Sequence, residues 1–287
     1  MGWGANMVAR AASETGDVVK EPVETGAIET GAATDFTEDE LQRYTRHIIL
    51  PEVGPAGQRA LRAASVLVIG AGGLGSGCLP YLAAAGVGQI VLVDDDVVDL
   101  SNLQRQVLHA TGDIGRSKVE SAMEKLSALN PQMAIRPVDG RLTAQNAAAL
   151  LAGINVVIDG SDNFDTRYVL ADAAYAARVP LVSAAMLRFE AQLSTFKGYL
   201  GPPHPCYRCL YPTPPPPGTV ATCAAAGVFG ALAGTIGAWQ AMEALKEIIG
   251  IGDSLSGRLL VVDALAADVH TIRIPRNPSC ACCGLAA

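Results

Sequence analysis

The chain has 287 residues, of which 50% are hydrophobic, and its formal net charge is −7 at pH 7. This apolar content is enough for a sizeable core in one large domain or two small ones. The acidic balance argues against a protein that follows nucleic-acid phosphates, because the net field repels polyanions. Seven cysteines and the lack of a signal-peptide pattern over Met1–Lys20 indicate a reducing compartment. We therefore expect a cytoplasmic protein whose thiols act as ligands or nucleophiles.

The first 35 residues lack the periodic apolar pattern of a helix or strand, and we expect them to form a disordered tail. A helix is predicted to begin next. Thr37–Glu40 has the capping-box pattern, and apolar residues within Leu41–Ile48 follow at helical spacing. Arg46 falls on another face of this helix. Residues 36–287 are expected to form one domain.

A glycine-rich turn joins an apolar strand at Val66–Ile69 to a helix predicted over Gly75–Ala85. Three of its glycines have the spacing G-x-G-x-x-G. Glycine permits a tight turn with positive φ, and it lets phosphates approach backbone N–H groups at a helix N-terminus. An ordinary turn in a core βα unit can look the same, but the position between strand and helix favours a nucleotide site. The glycines of the turn are Gly70, Gly72, Gly73 and Gly75.

Strand and helix patterns alternate through the first two thirds of the chain, which predicts an α/β fold: a Rossmann-like, mostly parallel sheet flanked by helices. The predicted strands are Val66–Ile69, Gln89–Asp94, Ala134–Val138, Val156–Asp159 and Leu181–Ala184. The helices predicted after the glycine turn are Gly75–Ala85, Ser117–Leu129, Ala144–Leu151 and Asp165–Arg178. A C-terminal antiparallel extension is predicted from Gln192–Phe196, the proline-rich crossover Pro202–Pro217, and a hairpin of Arg258–Asp263 and Val269–Ile274.

The uncharged run Thr219–Met242 is long enough to cross a membrane. Four glycines inside it suit close helix packing, which occurs in membranes and at soluble interfaces alike. No basic flank sets an orientation and no second span follows. We therefore expect a buried core helix or dimer helix, and no membrane association.

Polar residues follow the second predicted strand. Asp94 ends that strand about twenty residues past the glycines, where an acidic residue accepts hydrogen bonds from ribose hydroxyls. Ser101, Asn102 and Arg105 lie in the next segment, and we expect them near the nucleotide. Lys118 lies in the first turn of the following helix. The helix dipole disfavours lysine there unless an anion is bound, so a phosphate contact is favoured over a solvated cation.

Asp162 and Asn163 follow the predicted strand Val156–Asp159. Ligands of open α/β sheets gather at the carboxyl ends of strands, which makes both residues candidates for a nucleotide site. Each residue is also a good N-terminal cap for the next helix, and that interpretation stays open.

Two C-x-x-C pairs lie about seventy residues apart, Cys206 with Cys209 and Cys280 with Cys283. Four thiolates close a tetrahedral shell around Zn²⁺ and leave no position for water, so the pattern predicts a structural zinc site. A redox role is less favoured, because neither pair opens a helix after a strand. Cys282 can replace Cys283 as the fourth ligand, and the sequence does not decide between them.

Taken together, these segments resemble the MoeB/ThiF/HesA family of E1-like adenylyltransferases, with the molybdopterin branch the most similar. The resemblance implies a homodimer that binds MgATP and adenylates the C-terminal Gly-Gly carboxylate of a ubiquitin-like sulfur carrier of the MoaD/ThiS type, releasing pyrophosphate. The matching segments are Arg43–Arg46, Gly70–Gly75, Asp99–Gln106, Gly115–Lys118, Asp159–Asn163, Pro205–Cys209 and Arg276–Cys280.

The resemblance also implies roles for single residues. Arg105 and Lys118 supply fixed cations at the phosphates, Asp162 binds Mg²⁺, and Arg46 reaches the triphosphate of the neighbouring subunit. Cys223 matches a thiol that forms a covalent link to the carrier in some members, although a small cysteine is also an ordinary core residue. Some members carry a rhodanese domain that this sequence lacks, so sulfur is expected from a separate donor protein.

Two other functions stay open. An NAD-dependent oxidoreductase would use Gly70–Gly75 and Asp94, but it explains neither Lys118 nor the two cysteine pairs. A zinc-stabilised protein that docks a ubiquitin-like partner without catalysis is the other alternative. The sequence does not identify the carrier, which can belong to molybdopterin, thiazole, thiolated-tRNA or cysteine synthesis.

Overall fold

The structure, a computed structural model, describes residues 35–216, 219 and 226–284. The tail predicted over residues 1–35 lies outside the described residues apart from Asp35, and Cys223 lies outside them as well. The chain divides into two units, Met1–Glu38 and Asp39–Ala287. The fold below is that of the second unit, and the first helix, Glu38–Ile48, begins one residue before the boundary.

The described residues contain an eight-stranded sheet with the order β3-β2-β1-β4-β5-β6-β7-β8. Neighbours from β3 to β5 pair in parallel, and neighbours from β5 to β8 pair antiparallel. This confirms the mostly parallel sheet and its antiparallel C-terminal extension. The strands are β1 (Ser65–Ile69), β2 (Gln89–Asp94), β3 (Ala134–Asp139), β4 (Val156–Asp159), β5 (Leu181–Leu187), β6 (Glu190–Phe196), β7 (Arg258–Asp263) and β8 (Asp268–Arg273).

Helices cover both faces of the parallel part of the sheet. The α-helices are α1 (Glu38–Ile48), α2 (Gly54–Ala63), α3 (Gly73–Ala84), α4 (Lys118–Leu129), α5 (Ala147–Leu151), α6 (Phe164–Ala177), α7 (Tyr207–Leu210) and α8 (Gly230–Ile249). Short 3₁₀ turns lie at Leu100–Asn102, Thr111–Asp113 and Gly198–Leu200.

Four element boundaries differ from the prediction by more than one residue, and one of them is the start of β6, at Glu190 rather than Gln192. α3 begins at Gly73, two residues early, because Gly72 already serves as its N-cap. α5 begins at Ala147 rather than Ala144. β5 runs on to Leu187, because it forms a hairpin with β6 through their shared register. α2 was not predicted at all.

The core forms two apolar layers, one on each face of the sheet. β1 is buried on both faces, with Val66 and Val68 in one layer and Leu67 and Ile69 in the other. Such two-sided burial is typical of a central parallel strand. One layer also contains apolar residues of α3, α4 and α8, and the other those of α5 and α6.

α8 packs closely against α3, and small residues permit it. A side chain at Gly77 would lie 2.7 Å from the carbonyl oxygen of Gly234, and one at Gly237 would collide with the carbonyl oxygen of Leu74. The helix predicted within Thr219–Met242 is therefore a buried core helix over the part that is described. Among the described residues, no helix has both the length and the apolar character that a membrane span needs.

Candidate functional site

A cleft of about 830 Å³ opens at the carboxyl ends of the parallel strands. Its lining includes the ends of β1, β2 and β4 and the loops that follow them. The strand order reverses between β1 and β4, and open α/β sheets bind ligands at such a switch point. The cleft is therefore where the sheet topology places a ligand.

The glycine turn forms one wall of the cleft. Gly70 has φ +98°, and a side chain there would lie 2.8 Å from the carbonyl oxygen of Gly160. Gly70, Gly72 and Gly73 line the cleft. Gly75 is not one of the residues that line it, and a side chain there would collide with the carbonyl oxygen of Gly70. The fourth glycine thus closes the turn on itself and does not make room for a ligand.

Asp94 holds the glycine turn. Its Oδ2 accepts a hydrogen bond from the N–H of Ala71 at 2.7 Å, and its Oδ1 accepts one from the N–H of Asp96 at 2.9 Å. Burial raises the pKa of the Asp94 carboxyl, and these two hydrogen bonds oppose that shift. Each carboxylate oxygen has a second lone pair. Asp94 lines the cleft and can therefore still accept hydrogen bonds from ribose hydroxyls.

His109, which the sequence did not single out, holds the other side of Ala71. Its Nε2 lies 3.0 Å from the carbonyl oxygen of Ala71 and its Nδ1 lies 2.9 Å from Ser121 Oγ. A carbonyl only accepts, so Nε2 carries the proton and Nδ1 accepts from the hydroxyl. Burial lowers the pKa of His109, which favours this neutral form. The sequence has no signal for His109 other than its closeness to Arg105 in the chain.

Lys118 is not a solvated cation. Its side chain is 5% exposed, and its Nζ lies 2.8 Å from Oδ2 of Asp96, whose side chain is 71% exposed. Both residues line the cleft. The buried ammonium therefore has a solvent-accessible carboxylate as its partner, and an anion that enters the cleft can compete for it.

Arg105 also lines the cleft, and its Nη1 donates to the carbonyl oxygen of Ser101 at 3.1 Å. Ser101 and Asn102 do not belong to the described residues that line the cleft. Ser101 donates through N at 2.8 Å and through Oγ at 2.5 Å to Asp99 Oδ1. These hydrogen bonds lower the pKa of Asp99. The structure thus brings Arg105 to the cleft and places Ser101 and Asn102 in the turn that supports it.

Asp162 and Asn163 both line the cleft, but they differ in what they do. Asn163 is the N-cap of α6, and its side chain accepts a hydrogen bond from the N–H of Thr166 at 2.9 Å. Asp162 is exposed, and its Oδ1 lies 3.4 Å from Nδ2 of Asn163. The cap interpretation is confirmed for Asn163. The carboxylate of Asp162 faces the cleft as an oxygen ligand of the kind that Mg²⁺ prefers.

Two further arginines line the cleft that the sequence did not indicate. Arg141 Nε lies 2.5 Å from Oδ2 of Asp95 at the rim. Arg167 donates through Nη2 to the carbonyl oxygen of Ser161 at 2.5 Å, and its Nη1 lies 3.8 Å from the buried carboxylate of Asp159. Arg167 therefore braces the loop that presents Asp162.

Apolar and aromatic residues also line the cleft. Tyr207, Leu210 and Met186 line it, together with the proline segment 212–216. The hydroxyl of Tyr211 donates to Oε1 of Gln192 at 2.6 Å. Burial raises the pKa of Tyr207, so its hydroxyl stays neutral. Charged and apolar side chains thus line the same cleft.

Arg46 lies on an exposed face of α1. It is not one of the described residues that line this cleft. A role for Arg46 in catalysis therefore requires a second copy of the chain.

Four cysteines form a cluster between α7 and the C-terminal segment. The Sγ atoms of Cys206, Cys209, Cys280 and Cys283 all lie within 4.8 Å of one another, with separations of 3.9, 3.6 and 3.4 Å for three of the pairs. Thiolates bound to zinc at their usual distance form a tetrahedron with edges of about 3.8 Å. The four sulfur atoms therefore fit Zn²⁺. Cys282 is not a member of this group, so the fourth position belongs to Cys283.

The comparison with known proteins agrees with the site. Residues 44–282 match the model of the ThiF family. The chain is 49% identical over 245 residues to the SAMP-activating enzyme E1 of Haloferax volcanii, and this match covers 85% of this chain and 89% of that protein. It is 49% identical over 254 residues to the sulfur carrier protein adenylyltransferase of Thermus thermophilus, covering 87% and 93% of the two chains. The crystal structure of E. coli MccB shares the fold, with a TM-score of 0.73 at 21% identity over 88% of this chain and 74% of that chain.

Proposed function

The chain belongs to the ThiF family, and on that premise we propose that it uses ATP to adenylate the C-terminal carboxylate of a ubiquitin-like sulfur carrier, releasing pyrophosphate. The two relatives described above are named a SAMP-activating enzyme and a sulfur carrier protein adenylyltransferase, which supports this class of acceptor. The observation that carries the proposal is the cleft itself. It combines the glycine turn, Arg105, Lys118 and Asp162 at one switch point of the sheet.

The reaction needs cations that are fixed in advance. A carboxylate that attacks an α-phosphate brings two negative groups together, and preorganised positive groups lower that barrier most effectively in a site that excludes water. Arg105 and Lys118 provide such groups, and the N-terminus of α3 adds its partial positive charge. Lys118 exchanges the carboxylate of Asp96 for a phosphate oxygen when the nucleotide enters.

No general base is needed, because a C-terminal carboxylate is already ionised at neutral pH. The chain has to bind it, orient it and keep water away. The lining by Tyr207 and Leu210 suits a narrow glycine tail, because it offers apolar contact area. The tail would enter there and bring its carboxylate towards Arg105.

Asp162 would hold Mg²⁺ together with phosphate oxygens and water. When bound, the ion neutralises phosphate charge and helps to orient the triphosphate. Arg167 and Asn163 fix the loop that carries Asp162, through the carbonyl oxygen of Ser161 and the cap of α6.

The four-cysteine cluster would hold a structural Zn²⁺. All four positions of a tetrahedral ion are occupied by thiolates, so no site remains for substrate. The ion would join α7, which follows Cys206 directly, to the C-terminal segment that carries Cys280 and Cys283. α7 also supplies Tyr207 and Leu210 to the cleft, so zinc would stabilise the acceptor end of the site.

The active unit would be a homodimer in which the partner's Arg46 completes the triphosphate site. The carrier of the molybdopterin branch is the favoured acceptor. A covalent role of Cys223 stays a prediction about a residue outside the described part of the chain.

ATP–pyrophosphate exchange tests the proposal. We expect exchange only when a carrier ending in Gly-Gly is present, and we expect Arg105→Ala and Asp162→Ala to lower it by about 10²-fold or more. Asp139→Ala is the matched control, because Asp139 also ends a parallel strand but does not line the cleft. Exchange that survives both site variants would contradict the assignment. Tight NADH binding with no ATP binding would instead favour an oxidoreductase.

A further inference from the structure

The proline segment 212–216 lines the cleft, although little of its own structure holds it there. Four of its five residues are prolines, which have no backbone N–H to donate. The segment belongs to no helix or strand, and all of its residues except Pro215 are exposed. Neither a ladder of backbone hydrogen bonds nor burial therefore fixes its position, and neighbouring elements have to hold it.

Two side chains hold the start of the segment through carbonyl groups. Nη1 of Arg208 donates to the carbonyl oxygen of Pro212 at 3.3 Å, and the hydroxyl of Tyr168 donates to the carbonyl oxygen of Tyr211 at 3.1 Å. Proline fixes φ, so the direction in which the segment begins limits the directions that the rest can take. Arg208 lies on α7 and Tyr168 on α6. These two helices thus set the course of the segment along the cleft.

Arg208 is itself fixed by a carboxylate of α6. Its Nε and Nη2 donate to Oδ1 and Oδ2 of Asp172, each at 2.7 Å. Two parallel hydrogen bonds of this kind fix the plane of a guanidinium. The guanidinium also lies over the ring of Tyr168, 4.8 Å from its centroid. The pair with Asp172 therefore aims Nη1 at Pro212, which the flexible stem of the arginine alone would not do.

The same helix fixes the loop that carries Asp162. Asn163 caps α6, and Arg167 near its start donates to that loop. Asp172 lies further along α6, so its pair with Arg208 ties the proline segment to the helix that positions Asp162. The two side chains of the pair are 25% and 47% exposed. An ion pair this exposed contributes little to global stability, and what it supplies here is direction.

We propose that Arg208, paired with Asp172, is a positioning residue that holds the proline segment against the C-terminal tail of the acceptor. The proposal rests on the function proposed above, in which the tail brings its carboxylate towards Arg105. The proline segment offers an extended tail apolar surface on a stiff backbone. Arg208 acts through this segment, so it affects binding of the acceptor and leaves the nucleotide to Arg105 and Lys118.

Carrier-dependent pyrophosphate exchange by the full chain tests this role in two titrations. With ATP saturating, the KM for a carrier ending in Gly-Gly should rise about tenfold in Arg208→Lys, because lysine keeps the charge but cannot make the paired hydrogen bonds. Asp172→Asn should raise it by a similar factor, and the double variant no further, because the two residues act as one unit. With the carrier saturating, the KM for ATP should stay within about twofold and kcat within about threefold, since only binding of the tail is weakened.

Glu124→Gln is the matched control. Glu124 Oε2 lies 2.9 Å from Nη2 of Arg116 in an exposed ion pair, and neither residue lines the cleft. The substitution again replaces an exposed carboxylate on a helix by its amide, so both KM values should remain those of the wild type. Zinc content should also equal that of the wild type in every variant, because none of them removes a cysteine.

A purely structural ion pair would give a different result. Arg208→Lys and Asp172→Asn would then lower the melting temperature and leave both KM values unchanged, which would refute the role of Arg208. An equal rise in the KM for ATP and for the carrier would refute it as well, because the whole cleft would have changed. If Arg208→Lys loses zinc or does not fold, Asp172→Asn decides alone, since it leaves α7 unaltered.

The wild type distinguishes this inference from the function on which it rests. If the wild type shows carrier-dependent exchange and the variants keep its KM for the carrier, the role of Arg208 is refuted and the proposed function stands. If the wild type shows no such exchange, both are refuted.

Discussion

Ala71 shows how single residues set the geometry of the turn. Asp94 accepts from its N–H and His109 donates to its carbonyl, so the two peptide groups around Ala71 are fixed from opposite sides. His109 is fixed in turn by Ser121. The direction in which Gly72 presents its backbone to the cleft therefore depends on a neutral, correctly oriented imidazole.

The pH dependence of stability tests the neutral state of His109. Burial lowers the pKa of His109 in the folded chain below the value of about 6.5 in the unfolded chain. The unfolded chain therefore binds more protons as the pH falls below about 6.5, and the free energy of unfolding decreases. We expect His109→Gln to remove up to about 1.4 kcal/mol of this loss per pH unit, measured by urea unfolding between about pH 7.5 and about pH 5.5.

His204 contributes a loss of the same sign, because burial lowers its pKa too. The comparison of wild type with His109→Gln isolates the share of His109, since His204 is present in both. An identical pH dependence in the two proteins would contradict the assignment.

Residues whose role depends on their place in an element could be predicted from the sequence. Lys118 in the first turn of a helix, Asp162 after a strand and Asn163 as a cap each carry a local signal. His109 carries no such signal, because what defines it is a neighbour across the turn that only folding brings close. Gly75 lies in the turn as predicted, and the closest neighbour of a side chain there would be the carbonyl oxygen of Gly70.

At the level of elements, the contact between α3 and α8 depends on glycine. A side chain at Gly237 would collide with the carbonyl oxygen of Leu74, whereas one at Gly234 would meet nothing within 4 Å. We expect Gly237→Ala to lower the free energy of unfolding by about 1–3 kcal/mol, because the helices must move apart. Gly234→Ala should raise it by about 0.5–1 kcal/mol, because alanine favours the helix.

Chemical denaturation of the two alanine variants measures this difference. The two positions are one helical turn apart in the same helix, so propensity is matched and only the packing differs. Equal effects of the two substitutions would show that the contact does not limit the approach of α3 and α8.

A second prediction at this level concerns zinc binding by the four-cysteine cluster next to α7. We expect about one zinc ion per chain, and we expect Cys206→Ser to lose it and to melt at a lower temperature, because one of four thiolates is removed. Cys282→Ser is the control, since Cys282 is close to the cluster but is not one of the four. Metal content is measured by mass spectrometry of the digested protein. Loss of zinc from Cys282→Ser alone would contradict the assignment.

Strands and helices with a strong period were predictable, and α2 shows why others were not. Its sequence begins Gly-Pro-Ala-Gly and has Leu61 as its one large buried apolar residue. Gln58 is also buried in α2, because both ends of its amide have partners. Its Nε2 donates to the carbonyl oxygen of Ala85 at 2.9 Å, and its Oε1 lies 3.1 Å from Nδ1 of His47. Because this face of α2 is buried through specific hydrogen bonds, the sequence has no apolar period that would predict the helix.

For the whole molecule, the sheet order places the ends of β1, β2 and β4 at one edge. The proposed reaction depends on the residues that line the cleft at this edge, among them Arg105, Lys118 and Asp162. Arg46 is the exception, since it lies on α1 away from the cleft. We expect Arg46→Ala and Asp162→Ala each to be inactive alone. A mixture of the two should recover part of the activity, because a mixed dimer contains one complete site.

Carrier-dependent pyrophosphate exchange of the mixed variants, after exchange of subunits, measures this recovery. A mixture that stays as inactive as its components would show that Arg46 serves its own chain, and an active Arg46→Ala variant would show that Arg46 has no role. Gel filtration of each variant provides the control that dimers form.

The central claim is that this cleft joins AMP to the carboxylate of a carrier protein. Mass spectrometry of a carrier ending in Gly-Gly, incubated with the full chain, ATP and Mg²⁺, tests it most directly. We predict that the carrier gains the mass of one AMP at its C-terminal glycine, and that Arg105→Ala abolishes the gain. A carrier of unchanged mass, recovered while the chain binds ATP and the carrier together, would contradict the account.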